Sequence, residues 1–325
     1  MDADRSNADA STAPTLNDQW GRPLFLNGPL ETSRRSPTTL LVMGLLGLGA
    51  SFILFQVVVS PILLFAQIGL SEGGLSNLGD PNALLTTYTR ELIISNSVGQ
   101  LFGLAVPALL MARLHTRQVT SYVRFRAVDL RLVLLSIVGV LALQPVVQWL
   151  AQINKQLPLP ETMRMLEQSQ LELIQSVLES GLGVEFNLVM LALVPGICEE
   201  LLFRGYAQRQ FERATGVVGG ILLSGILFGL YHLRLSQLLP LALLGIYLAY
   251  LTWRTGSLWP AILVHMAHNG IAVLAARYAQ QHPSYDLQTL EQASMPWYAV
   301  GAGFAIFGGI LYVLHPLAHQ LRENE

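Results

Sequence analysis

Glu199 and Glu200 stand side by side, with Arg204 four residues on, in a stretch otherwise rich in apolar residues. His232 follows Phe228 by four residues, and Asn269 follows His265 by four. All seven fall in sequence of membrane-spanning character. There an ionisable group costs roughly 2.5–3.5 kcal/mol even on a lenient insertion scale, so such groups face a cavity or one another. Two carboxylates, two imidazoles and an amide are the parts of a hydrolytic site. A carboxylate takes a proton from water, and nitrogen donors hold the charge that develops on a carbonyl oxygen. Glu200 and Arg204 have the i,i+4 spacing of an ion pair, which leaves Glu199 as the free general base and Glu200 as a structural partner. Adjacent helical positions diverge by about 100°, so the two glutamates are not obliged to share a cavity. Asn269 lies one turn from His265 and suits either an oxyanion or a hydrogen bond between membrane helices. Phe228, one turn before His232, is expected to pack against its imidazole.

A helical, membrane-embedded frame must hold these residues together. The chain of 325 residues is 52% hydrophobic and 12% charged, about half the charge of a soluble domain, and its mean hydropathy is +0.47. A span needs about 20 mostly apolar residues. Candidates run at about 39–66, 91–114, 130–153, 186–208, 216–233, 236–255, 257–279 and 296–317. The fold class is therefore an all-α polytopic membrane protein of about eight transmembrane helices around an intramembrane cavity. The turn at Thr255-Gly256-Ser257 is so tight that seven is the alternative count. Glu200 precedes Gly216 by sixteen residues and His232 follows it by sixteen. At 1.5 Å of rise per residue, both climb roughly 24 Å from a shared turn, so an antiparallel pair brings them level. His265 reaches the same level if the segment from Arg204 to Arg213 projects beyond the bilayer, which puts the site nearer the cytoplasmic face.

Four regions follow from this pattern. Residues 1–37 form a polar, loosely ordered tail, and 38–183 hold the first membrane helices and loops. Residues 184–280 form the catalytic core, and 281–325 supply an outer loop, a last span and a short tail. Within the second region, Met163, Leu166, Leu173, Ile174 and Val177 recur at helical spacing between charged residues, so 161–180 is an amphipathic helix at the outer interface or a linker helix. Placing the N-terminus in the cytoplasm puts fourteen of the nineteen Lys and Arg residues on that side, including Arg113, Arg117, Arg124, Arg126, Arg131 and Arg204. A bacterial inner or plasma membrane is the expected location, with the lipid bilayer as a partner. The net charge of −2 gives no reason to expect nucleic acid. The single cysteine, Cys198, excludes an intrachain disulfide and is expected as a small apolar helix residue. His268 is expected to point away from the site, while His115, His282, His315 and His319 fall in loops or near helix ends and are expected to be solvated or interfacial.

The run Glu199-Glu200-Leu201-Leu202-Phe203-Arg204 is similar to the EExxxR motif of the CPBP family of intramembrane proteases, which includes CAAX prenyl endopeptidases and bacteriocin-processing or Abi proteins. Phe228 to His232 resembles its FxxxH motif, and His265 to Asn269 its HxxxN motif. All three lie in order within about seventy residues, and the resemblance covers roughly 184–280. It implies a membrane endopeptidase in which Glu199 and His232 activate water, His265 and Asn269 hold the oxyanion, and Glu200, Arg204 and Phe228 support them. The implied substrate is a membrane-associated or prenylated (CAAX-type) peptide. Glu199, His232 and His265 would also supply the three protein ligands of a catalytic zinc, as the label metalloprotease suggests, although no HExxH helix occurs. A zinc site and a metal-free site are both compatible with these residues. The rival functions are a catalytically silent scaffold, a proton-coupled transporter using the same cavity, and a serine protease pairing Ser224 with His265. No internal repeat favours transport, and no Gly-x-Ser-x-Gly turn exposes Ser224.

Overall fold

The computed structural model describes residues 15–17, 23–31, 33, 35–70, 87–179, 181–282 and 294–323. Its helices are α1 (Pro37–Gly69), α2 (Thr89–His115), α3 (Leu130–Lys155), α4 (Glu161–Glu179), α5 (184–215), α6 (217–231), α7 (Leu238–Thr255), α8 (Trp259–Gln281) and α9 (Trp297–Glu323). Among the described residues, seven helical runs are long and apolar enough to cross a membrane. The longest, Val184–Tyr231, is folded back on itself at Gly216, whose φ of 79° and ψ of 176° break the helix. Only glycine reaches that backbone region at little cost. Its two arms, α5 and α6, run antiparallel: Ser224 Oγ donates to the Phe203 carbonyl at 3.4 Å, and the Phe203 and Phe228 rings meet edge-to-face at 5.3 Å. The protein is thus an all-α polytopic membrane protein, with seven candidate spans among the described residues, one of them folded back on itself.

Helix ends follow local chemistry. Ser36 caps α1 by accepting from the Thr39 N–H, with Pro37 at the first helical position. Asp129 caps α3 by accepting from the Arg131 N–H, and α7 stops at Gly256 in the left-handed region. Four π-helical stretches occur among the described residues: Leu54–Val59, Leu101–Ala105, Val189–Leu193 and Leu201–Ala207. Three of them end two residues before a proline, Pro61, Pro107 and Pro195. Proline lacks an N–H and its ring crowds the carbonyl four residues back, so the preceding turn widens. The fourth stretch has no proline and begins right after Glu200, inside the motif.

The bundle is centred on α5, where Leu202, Phe203, Ala207 and Phe211 have no exposed surface. Lipid takes the place of water outside, so Leu46, Val57 and Leu110 lie open on the perimeter. Helix α6 meets α7 through paired glycines: a Cβ on Gly245 would lie 2.7 Å from the Gly225 carbonyl oxygen. Small residues at such crossings let membrane helices approach closely.

Part of the segment expected as a loose tail is ordered. Strands β1 (Thr15–Asn17) and β2 (Pro23–Phe25) pair antiparallel, and Leu24 and Leu26 are buried in the main core. Beyond them Glu31 is buried and receives two hydrogen bonds from Arg213, at 2.8 and 3.0 Å, and one from His115 Nδ1 at 2.6 Å. His115, expected at a solvated helix end, therefore has no exposed surface. Burial alone pushes the Glu31 carboxyl up, but the hydrogen bonds from His115 and Arg213 outweigh it and hold the pKa below its usual value. The polar composition of the tail concealed this because its anchors are few: two leucines, Leu24 and Leu26, and the Glu31 carboxylate. The remaining tail residues, 1–14, 18–22, 32 and 34, lie outside the described residues.

Candidate active site

The three motifs meet. Arg204 Nη1 donates to Glu200 Oε1 at 2.8 Å, and neither side chain has any exposed surface. Arg204 is thus an intramembrane charge and drops out of the cytoplasmic count made from sequence. Its Nη2 donates to the Gly245 carbonyl at 3.0 Å, and its guanidinium lies 4.4 Å from the Phe228 ring centroid. Carboxylate, carbonyl and aromatic face replace part of its hydration, while its Nε is buried without a hydrogen-bond partner.

His265 Nδ1 stands 2.9 Å from Glu200 Oε1. A carboxylate oxygen only accepts, so Nδ1 carries the proton and the Nε2 lone pair is directed away from it. His232 is fixed in the same way: its Nδ1 donates to the Phe228 carbonyl at 2.8 Å. Both free Nε2 atoms converge on Glu199 Oε2, at 3.9 Å from His232 and 4.0 Å from His265. Those distances are too long for direct hydrogen bonds and suit one bridging water. Glu199 Oε2 is buried without a hydrogen-bond partner, the kind of polar atom that calls for a functional explanation.

The two glutamates therefore share one imidazole, with Glu200 on one side of the His265 ring and Glu199 on the other. The widened helix that begins at Leu201 lies directly beneath them, and such π-segments recur at functional sites. Phe228 forms the wall, edge-to-face with both His232 and His265 at 4.8 and 5.6 Å. His232 caps the C-terminal end of α6, and the chain turns directly after it: Leu233 has a φ of 52°. A left-handed Leu carries strain of about 1–2 kcal/mol, and no glycine marks the turn in the sequence.

Asn269 Nδ2 donates to the Leu191 carbonyl at 3.1 Å. Leu191 lies in the π-segment before Pro195, so Asn269 pairs with a carbonyl of that widened turn. The contacts of Arg204 and Asn269 with Gly245 and Leu191 escaped the sequence because backbone carbonyls have no residue signature. The Gly225–Gly245 pair was the available clue. His268 points away from the motif residues, to Gln144 Nε2 at 3.2 Å. Cys198 is buried and free. Ser224 is fully buried and turned toward the Phe203 carbonyl, so it is not placed as a nucleophile beside His265.

The donor chemistry of Glu199, His232 and His265 is that of a zinc set, but the spacing is wide. Donors about 2.1 Å from a tetrahedral ion lie roughly 3.3 Å apart, against the 3.9 and 4.0 Å separations here. Among the described residues no group of three His, Cys, Asp or Glu is placed to hold a metal ion.

Fold and site define a polytopic membrane protein with a carboxylate–histidine centre, and part of the chain is similar to known membrane peptidases. Residues 182–271 match the family described as Type II CAAX prenyl endopeptidase Rce1-like. A Bacillus subtilis (strain 168) protein named "Putative membrane peptidase YdiL" is 28% identical over 100 residues. Those residues are 31% of this chain and 41% of that protein. No solved structure matches the chain. The matched segment 182–271 is the part of the chain that carries all three motifs, from Glu199 to Asn269.

Proposed function

We propose that the protein is an intramembrane endopeptidase that hydrolyses a peptide bond with water activated by Glu199. The observation that carries this is the convergence of two imidazole Nε2 atoms on the buried, unpartnered Glu199 Oε2. A water held there gives its proton to Glu199 and attacks the carbonyl carbon, while His232 Nε2 orients it. The protonated Glu199 then passes the proton to the leaving amine. Glu200 and Arg204 position His265. A proton at its Nε2 makes it a donor to the oxyanion, with the Glu200 carboxylate as counter-charge. Asn269 supplies the second donor through the Nδ2 hydrogen not bonded to Leu191. The basic face, with Arg117 and Arg126, is assigned to the cytoplasm of a bacterial cell. The substrate is a membrane-associated peptide, of which a prenylated C-terminal tail is the first form to test.

The test is cleavage of membrane-associated and prenylated peptides by the purified full chain in detergent, beside Glu199→Gln, with and without a chelator. Removing a general base lowers the rate by about 10²–10⁴-fold, so Glu199→Gln should be inactive yet as heat-stable as wild type. Wild-type cleavage undiminished in Glu199→Gln would overturn the assignment. Loss of activity with chelator would bring a metal into the site. Binding of a peptide without cleavage would indicate a scaffold.

A further inference from the structure

We infer that the catalytic cavity is loaded from the extracytoplasmic leaflet, so the substrate is a peptide segment exposed on that side of the membrane. This rests on the endopeptidase reading above and deepens it. A cavity of ≈ 550 Å³ reaches His232. Its walls come from Gln56, Ser60 and Leu64 in the second half of α1, Asn96 near the start of α2, Gln170 of α4 and Leu191 near the start of α5. Helix α1 leaves the basic face at Pro37, and α2 returns to it at His115. All these wall positions therefore lie in the half of the bundle away from that face.

The opposite approach is closed. Between the motif and the basic face, α5 carries Ala207, Gln208, Gln210 and Phe211, none with exposed surface. Across that end, Gln210 Nε2 donates to Tyr122 Oη at 2.6 Å and Arg209 Nε donates to the Tyr122 carbonyl at 2.9 Å. Exposure within the site follows the same direction: the His232 side chain is 29% exposed, against 3% for His265.

The lining suits an extended peptide rather than a hydrocarbon chain alone. Gln56, Ser60, Asn96 and Gln170 supply polar side chains along the walls, and an extended backbone away from water needs such groups. Leu64 and Leu191 take apolar side chains. Of the membrane-associated substrates left open above, this favours segments presented in the outer leaflet over lipidated tails arriving from the cytoplasm.

The experiment reads sidedness without using activity. Single cysteines are placed in the full chain on a Cys198→Ala background and expressed in the inner membrane of a Gram-negative host. Gln56→Cys and Asn96→Cys report the cavity. Leu70→Cys reports the far face, where Leu70 is 90% exposed, and Arg117→Cys the basic face. A membrane-impermeant thiol reagent is applied to spheroplasts. The expected result is labelling of both cavity positions as strongly as Leu70→Cys, with Arg117→Cys silent until permeabilisation. Cavity labelling only after permeabilisation overturns the inference, as does labelling from neither side or labelling of Arg117→Cys in intact spheroplasts. Outer-side labelling in a protein that cleaves no peptide leaves the sidedness standing and removes the protease reading, so the two failures are distinguishable.

Discussion

Arg204 offers the sharpest quantitative test, because it and Glu200 form an ion pair with no exposed surface. Removing one member of such a pair costs about 3–5 kcal/mol, since the remaining charge keeps its desolvation penalty and loses its compensation. Arg204→Met keeps much of the side-chain length but gives up the Glu200 contact. It also loses the 3.0 Å bond to the Gly245 carbonyl and the guanidinium over Phe228, so the loss should fall at the upper end of that range. Adding Glu200→Gln removes the orphaned charge while keeping an oxygen that can accept from His265 Nδ1. The double variant should recover to within about 2 kcal/mol of wild type. The assay is denaturant unfolding in detergent followed by fluorescence of the five tryptophans, run as a double-mutant cycle. An Arg204→Met protein within about 1 kcal/mol of wild type, or a double variant as unstable as the single one, would refute the reasoning. The first result would mean water reaches the pair; the second would mean Arg204 acts through packing.

Three further outcomes follow from other contacts. Gly245→Ala should destabilise by about 1–3 kcal/mol through overpacking, because its Cβ meets the Gly225 carbonyl at 2.7 Å, whereas Gly301→Ala, with open space around it, should not; equal unfolding midpoints would contradict the close approach. Glu31→Gln should cost about 3–5 kcal/mol by orphaning Arg213. Because the folded pKa of Glu31 is lowered, its contribution is fully present above the unfolded value of about 4.3 and is lost as pH falls through the folded value. Unfolding measured across that acid range should therefore show a decline in wild type that is reduced in Glu31→Gln, and superimposable acid profiles would count against it. Asn269→Ala should lose about 0.6–1.7 kcal/mol of stability with the Leu191 bond and about 10²–10³-fold in kcat if it also holds the oxyanion; a stability loss with undiminished cleavage would assign it to packing alone.

Much of the site was legible because membrane burial filters sequence so strongly. In a bilayer, Glu199, Glu200, Arg204, His232, His265 and Asn269 stand out against apolar neighbours, and equal distances from Gly216 predicted that the glutamate pair and His232 would be level. The structure brings His232 to 3.9 Å from Glu199. Three of the four π-segments also have a visible cause in Pro61, Pro107 and Pro195. The fourth, Leu201–Ala207, has none and begins directly after the glutamate pair.

Sequence alone determined the all-α membrane class and which polar residues stand out within it, because each depends on local hydropathy or on spacing within a helix. Tertiary structure alone decided which partner each polar atom takes. Glu31 meets His115 and Arg213 from 84 and 182 residues away, and Arg204 and Asn269 bond to backbone carbonyls that any residue could supply. It also decided from which half of the bundle the cavity reaches His232, since the closure of one end is a property of packed helices and has no counterpart in a single segment of chain.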